Sequence, residues 1–142
     1  MFEESQHAES DAVGYAVGDY VYHVAPAKYA DGIRRSGFLP KSGRSVNGAE
    51  YENRVYFATS LIAAYDISVN FGSYRDDGEY VIFKVDSRGL AGGYEEDPLF
   101  VHGIYVDYAV PSEYIVDAFP ASDLFGKYDD ADFDKLYEKL TG

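Results

Sequence analysis

The chain has no cysteine, no tryptophan and a single methionine. Without cysteine there is no disulfide, no thiolate metal ligand and no cysteine nucleophile, and the composition fits a reducing compartment. Basic residues are scarce as well: Lys and Arg number 12 against 25 Asp and Glu, a formal charge of −13. A surface of that sign repels phosphate backbones, which argues against nonspecific nucleic-acid binding. Two readings of the acidic excess stay open. One is solubility or a high-salt habitat; the other is a surface that engages a basic protein partner, in the limit by imitating nucleic acid.

Long apolar runs are also missing. The N-terminal MFEESQHAESDAVGYAVGD has no basic start and no hydrophobic stretch, so it does not read as a signal peptide. No window approaches the length of a transmembrane helix, so the expectation is a soluble, cytoplasmic protein without a membrane partner. There is no Gly-x-Ser-x-Gly, P-loop or Rossmann fingerprint. His7, His23 and His102 lack metal-ligand spacing, so no metal site is expected. Among so many acids, nothing singles out a glycosidase pair.

What is abundant is aromatic: 15 Tyr and 9 Phe in 142 residues. With 14 Gly and 5 Pro this suits strands and loops better than a helical bundle. A chain of this length favours one domain, which buries roughly two thirds of the surface its unfolded chain exposes.

The pattern divides the chain into an acidic N-terminal tail over 1–18, expected to be disordered, a domain over 19–121, and an acidic segment over 122–142. Asp19–Val24 reads as a strand carrying His23. Lys28–Ser36 reads as a helix with Ile33 on its buried face, closed by Gly37. Lys41–Asn53, full of Ser, Gly and Asn, reads as a loop. Arg54–Thr59 is a strand, and Ser60 caps a helix from Leu61 to about Asn70. Glu79–Asp86, rich in β-branched and aromatic residues, is the strongest strand signal. Gly92–Phe100 reads as a loop, and Gly103–Tyr108 and Glu113–Phe119 as further strands. Phe133, Leu136, Tyr137 and Leu140 give the spacing of an amphipathic helix docked on the domain or on a partner. The fold class is α+β with mainly antiparallel pairing.

Three segments carry a resemblance. His23 followed by KYADGIRRSGFLPKSG is similar to the first motif of the ADP-ribosyltransferase superfamily. Arg54–Tyr65, RVYFATSLIAAY, is similar to the tyrosine segment of its poly-ADP-ribose-polymerase branch. Pro111–Asp117, PSEYIVD, is similar to the segment bearing that branch's catalytic glutamate. The order matches too, over roughly Tyr20 to Phe119. The resemblance implies split antiparallel sheets with a central cleft for NAD⁺, the nicotinamide between Tyr56 and Tyr65, and the main chain of Val24 facing the carboxamide. It implies His23 donating from a ring nitrogen to a ribose hydroxyl, and Glu113 as the carboxylate facing the positive charge that develops on the ribose. Val24 stands where the family usually has glycine. Ile62 stands where it often has serine, leaving a wall hydroxyl to Ser60 or Thr59. Lys41 and Arg44 form the local basic cluster expected near the adenosine diphosphate end.

The expected function is mono-ADP-ribosyl transfer from NAD⁺ to a macromolecule, a protein target of basic character, as suits a small phage or bacterial effector. Glu113, His23 and Tyr56 would be its catalytic residues. A different class also fits: a non-catalytic acidic inhibitor or binding protein on the same fold, a nucleic-acid mimic. An RNA 2′-phosphotransferase relative is the weaker third reading, since that chemistry calls for several arginines in the cleft and this chain has few.

Overall fold

The computed structural model describes residues 12–44, 50–74 and 78–138, and the side-chain surroundings of 12–40, 53–70 and 78–137. Seven strands are present: β1 (Tyr20–Pro26), β2 (Lys41–Arg44), β3 (Glu50–Ala58), β4 (Tyr80–Asp86), β5 (Glu95–Glu96), β6 (Gly103–Val106) and β7 (Ile115–Pro120). They form one sheet in the order β5-β6-β3-β1-β4-β7, with β2 added alongside β3. Every pairing is antiparallel. With the helices α1 (Ala30–Ser36), α2 (Leu61–Tyr74) and α3 (Asp130–Glu138), the architecture is α+β.

Alternation along the strands sorts side chains to two faces. Val21, Ala25, Phe57, Phe83 and Ile104 bury on one face, where Ala30 and Ile33 of α1 and Phe38 cover them. Tyr22, Ala58 and Ile82 bury on the other, under Leu61, Ala63 and Ala64 of α2. β4 is covered on both faces, with Tyr80–Val85 buried throughout. That accounts for its nearly unbroken apolar sequence. Ser60 Oγ accepts from Ala63 N at 3.3 Å and starts α2 as its sequence indicates.

The strands form a single sheet rather than separate sheets, but its β1–β3 pairing is short. β1 runs against β4 over its whole length, from Tyr20↔Asp86 to Pro26↔Tyr80. It meets β3 at one position only, Tyr22↔Ala58. Beyond Tyr22 the two strands diverge, and the gap between them is the cleft described below.

Other expectations are corrected too, among them the Gly92–Phe100 loop, which contains the two-residue strand β5. Lys41–Asn53 is not a loop throughout: Lys41↔Arg54 and Gly43↔Tyr51 pair in a β2–β3 ladder. Three steps along β3 there match two along β2, so β3 carries a bulge, with Asn53 at φ 50. Such a bulge re-aims the side chains that follow it, here Arg54. Residues 12–18 are not a free tail. Tyr15 and Val17 pack on the core, and Gly14 N–H donates to His102 Nδ1 at 3.1 Å. Thr59 Oγ1 donates to Gly14 O at 2.8 Å. Backbone satisfied by a buried imidazole and hydroxyl holds a glycine-rich segment that composition alone marks as loose. Residues 1–11 lie outside the described residues. Glu113 does not begin a strand, as set out below, and α2 runs to Tyr74 rather than Asn70.

At the C-terminus α3 docks on this domain. Asp129 and Asp132 cap it reciprocally, each side chain accepting from the other's backbone N–H at 2.9 Å. Leu136 is buried, and the Phe133 ring stacks 6.2 Å from Tyr65. Leu140 lies outside the described residues. No helix among the described residues is long and apolar enough to cross a membrane.

Candidate functional site

The divergence of β1 from β3 opens a cavity of about 690 Å³. That is within the range of ordinary small-ligand sites. Its walls come from β1, α1, β3 and the 97–103 loop, and they include His23, Val24, Phe38, Tyr56, Phe57 and Phe100. Three cations, Lys28, Arg35 and Arg54, and two carboxylates, Asp31 and Asp97, also line it. An acidic chain thus places positive charge at its cleft.

His23 spans the split. Its Nδ1 lies 2.7 Å from the main-chain oxygen of Tyr56. A carbonyl only accepts, so Nδ1 carries the hydrogen, and in the neutral ring Nε2 is the acceptor nitrogen. The resemblance has His23 donate to a ribose hydroxyl, whereas in the neutral imidazole held this way Nε2 is an acceptor. The ring is boxed by Phe38, Phe57 and Phe83, with centroids at 4.8, 5.7 and 6.5 Å. Phe38 is fixed in turn by reciprocal backbone hydrogen bonds to Val110, both 2.9 Å.

Tyr56 lies beside it on β3. Arg54 Nη1 donates to the Tyr56 hydroxyl at 3.0 Å, and the guanidinium sits 4.0 Å over the ring of Tyr105. Tyr56 and Tyr105 themselves stand 5.5 Å apart across the β3–β6 pair. Val24 lines the cleft where β1 has left β3, beside Ile82 of β4.

The other expected residues are elsewhere. Tyr65 projects from α2 toward the C-terminal segment, its ring 5.9 Å from Tyr128 and 6.2 Å from Phe133. Ile67 of α2 lines the cleft in its stead. The Tyr56–Tyr65 sandwich is not assembled, because a helix presents residues two apart to different sides. Ser60 is buried and spent on the α2 cap, and it does not line the cleft; Thr59 is spent on Gly14. Glu113 is exposed, in a 3₁₀ turn over Ser112–Tyr114 that Pro111 opens. β7 starts only at Ile115, and Glu113 is not among the cleft residues. Arg44 pairs with Glu50 in the β2–β3 ladder; its side chain and that of Lys41 lie outside the described residues.

The structure also brings in a residue that no sequence signal marked. Asp97, in the loop after β5, is 6% exposed. Burial pushes its carboxyl above the ordinary aspartate range, opposed by a hydrogen bond from the Leu99 N–H and by the charge of Arg54. Its backbone is tied down by Asp97 N to Gly103 O at 3.0 Å and by the Tyr15 hydroxyl donating to Asp97 O at 2.9 Å. In sequence it is one of 25 acids; only the topology shows which one is buried.

These residues form a cleft with aromatic walls, cations for an anionic ligand and a histidine across its floor. No protein-family model matches the chain and no curated protein matches it, so the chemistry of the cleft rests on this geometry.

Proposed function

We propose that the protein binds NAD⁺ in the cleft between β1 and β3 and transfers its ADP-ribose to a macromolecular target. The observation that carries the reading is His23 bridging the split in the sheet, where the resemblance in sequence calls for a ribose-holding histidine in a split-sheet cleft. The aromatic faces of Tyr56 and Phe100 offer stacking to a flat nicotinamide, worth about 1 kcal/mol each. Lys28, Arg35 and Arg54 supply opposite charge for a diphosphate. Nε2 of His23 accepts from a ribose hydroxyl.

A second reading, a non-catalytic acidic binding protein on this fold, is favoured by one observation: Glu113, the carboxylate that the resemblance makes catalytic, is exposed and away from the cleft.

Calorimetry with NAD⁺ on the wild-type chain, His23→Ala and His23→Asn tests the proposal. Saturable binding is expected in wild type. His23→Ala should lose it at least about tenfold, the scale of one hydrogen bond to a buried polar group. His23→Asn keeps a donor for the Tyr56 carbonyl, so it should retain the fold by circular dichroism while binding weakly. Absence of wild-type binding at millimolar NAD⁺ overturns the proposal. Binding without nicotinamide release, by a chain that still captures a basic protein, supports the second reading.

A further inference from the structure

We infer that Asp97 is the catalytic carboxylate of this cleft, facing the nicotinamide ribose in the role that the resemblance gives to Glu113. The inference rests on the function proposed above.

Asp97 is the one carboxylate buried among the described residues, and it lines the cleft. Asp31, the other acid of the lining, is a different kind of group: its side chain is 86% exposed and pairs with Arg34 at 3.4 Å. The position of Asp97 is built rather than incidental. Its main chain is fixed at both ends, by Gly103 and by Tyr15. Oδ1 accepts from Leu99 N at 2.8 Å, which sets the plane of the carboxylate. Oδ2 lies beside Gly103, where a Cβ would come within 3.2 Å of it and 3.1 Å of the Phe100 ring. Glycine at the start of β6 therefore leaves the space that this carboxylate occupies. Gly103 is opposite Ala58, which pairs in turn with Tyr22 at the point where the split begins. Arg54 acts on Asp97 through space and favours its ionised form.

A fixed, desolvated carboxylate suits a reaction that builds positive charge on a sugar. In the step envisaged, the bond between C1′ of the ribose and the nicotinamide nitrogen breaks heterolytically. Both electrons leave with nicotinamide, which departs neutral, and the ribose remains as an oxocarbenium ion facing Asp97. A hydroxyl of water or of the target then supplies an electron pair to C1′, and its proton passes to solvent. With water the products are ADP-ribose, nicotinamide and one proton.

The test measures nicotinamide release from saturating NAD⁺ by the full chain, beside NAD⁺ affinity by calorimetry, for wild type, Asp97→Asn, Asp97→Glu and Glu113→Gln. Asparagine retains an oxygen for Leu99 N–H, so Asp97→Asn should fold and keep its Kd within about threefold. Its release should fall about 100-fold or more, the scale of removing one charge-stabilising group. Glu113→Gln should release nicotinamide at the wild-type rate. Wild-type activity should decline toward acid pH with an inflection above that of an ordinary aspartate; Asp97→Glu should displace that inflection and Asp97→Asn should lack it, any loss from protonation of the His23 ring being common to all the variants. A purely structural Asp97 would leave that inflection in place. Release by Asp97→Asn within about threefold of wild type overturns the inference, as does a loss that tracks Glu113→Gln. If Asp97→Asn does not fold, an inflection unmoved in Asp97→Glu overturns it. Wild-type release that Asp97→Asn retains sinks this inference alone; wild-type binding with no release, or no wild-type binding, sinks the proposed function with it.

Discussion

Gly37 shows how one residue fixes the site. It ends α1 at φ 76 and ψ −164, a region open essentially to glycine, while its N–H donates to Ile33 O at 2.8 Å. A Cβ there would stand 2.4 Å from Val110 O and 2.8 Å from Ser112 N, both backbone atoms that cannot swing aside. The next residue, Phe38, forms the closest wall of His23. Gly37→Ala should therefore cost about 2–5 kcal/mol, from the strained dihedrals and from the overpacking. Urea unfolding should show the loss as a lower midpoint with the slope unchanged. A variant within about 0.5 kcal/mol of wild type would mean that the α1 exit is not held as described.

At the scale of elements, the legible parts were those whose signal is local. The residues of β4 are β-branched and aromatic in a nearly unbroken apolar run, Ser60 caps a helix by its own hydroxyl, and Gly37 stops one by its missing Cβ. What the sequence hid depended on partners remote in the chain. Lys41–Arg44 is polar yet becomes a strand because β3 offers it a ladder. The PSEYIVD motif starts its strand two residues late because Pro111 opens a 3₁₀ turn, and that displaces Glu113. Tyr65 faces α3 rather than the cleft, and Asp97 is buried only because the 97–103 loop folds back on β6. His102 belongs to this hidden class. Fully buried, it joins two terminal elements: Nδ1 accepts from Gly14 N–H, and Nε2–H donates to Leu136 O at 3.0 Å. Burial lowers its pKa, against the pull of the Leu136 carbonyl and the Asp66 carboxylate; the rings of Phe100 and Tyr137 complete its surroundings. The folded pKa thus lies below the unfolded value near 6.5, so the unfolded chain binds more protons in that window. Stability from His102 is fully present above about pH 6.5 and is lost as pH falls from there toward the folded pKa. Urea unfolding at pH 7.5 and 5.5 should show a lower midpoint at 5.5, and His102→Gln should shrink the difference. An equal difference in both chains would assign the acid sensitivity elsewhere.

At the scale of the molecule, a net charge of −13 sits around a cleft that gathers Lys28, Arg35 and Arg54. Acids outnumber bases over the chain as a whole, so its surface repels itself, while three of the 12 basic side chains gather at one place beside Asp31 and Asp97. Self-repulsion of this kind destabilises the compact state. It acts over distances that about 0.1 M salt screens, since the Debye length there is about 10 Å. Attractive surface pairs would lose strength on the same addition. Those described here, Arg88 with Asp86 at 2.6 Å and Arg34 with Asp31 at 3.4 Å, involve exposed basic side chains, and exposed pairs are worth less than about 1 kcal/mol each. Repulsion therefore outweighs them. Raising sodium chloride from 20 mM to 300 mM at pH 7.5 should raise the Tm by about 3–6 °C, the shift that about 1–2 kcal/mol produces in a chain of this size. Sodium chloride rather than sulfate is the right probe, because sulfate also strengthens apolar burial by exclusion from the protein surface. A Tm that falls with added chloride would mean that local ion pairs, not the net acidic field, set the electrostatic part of the stability.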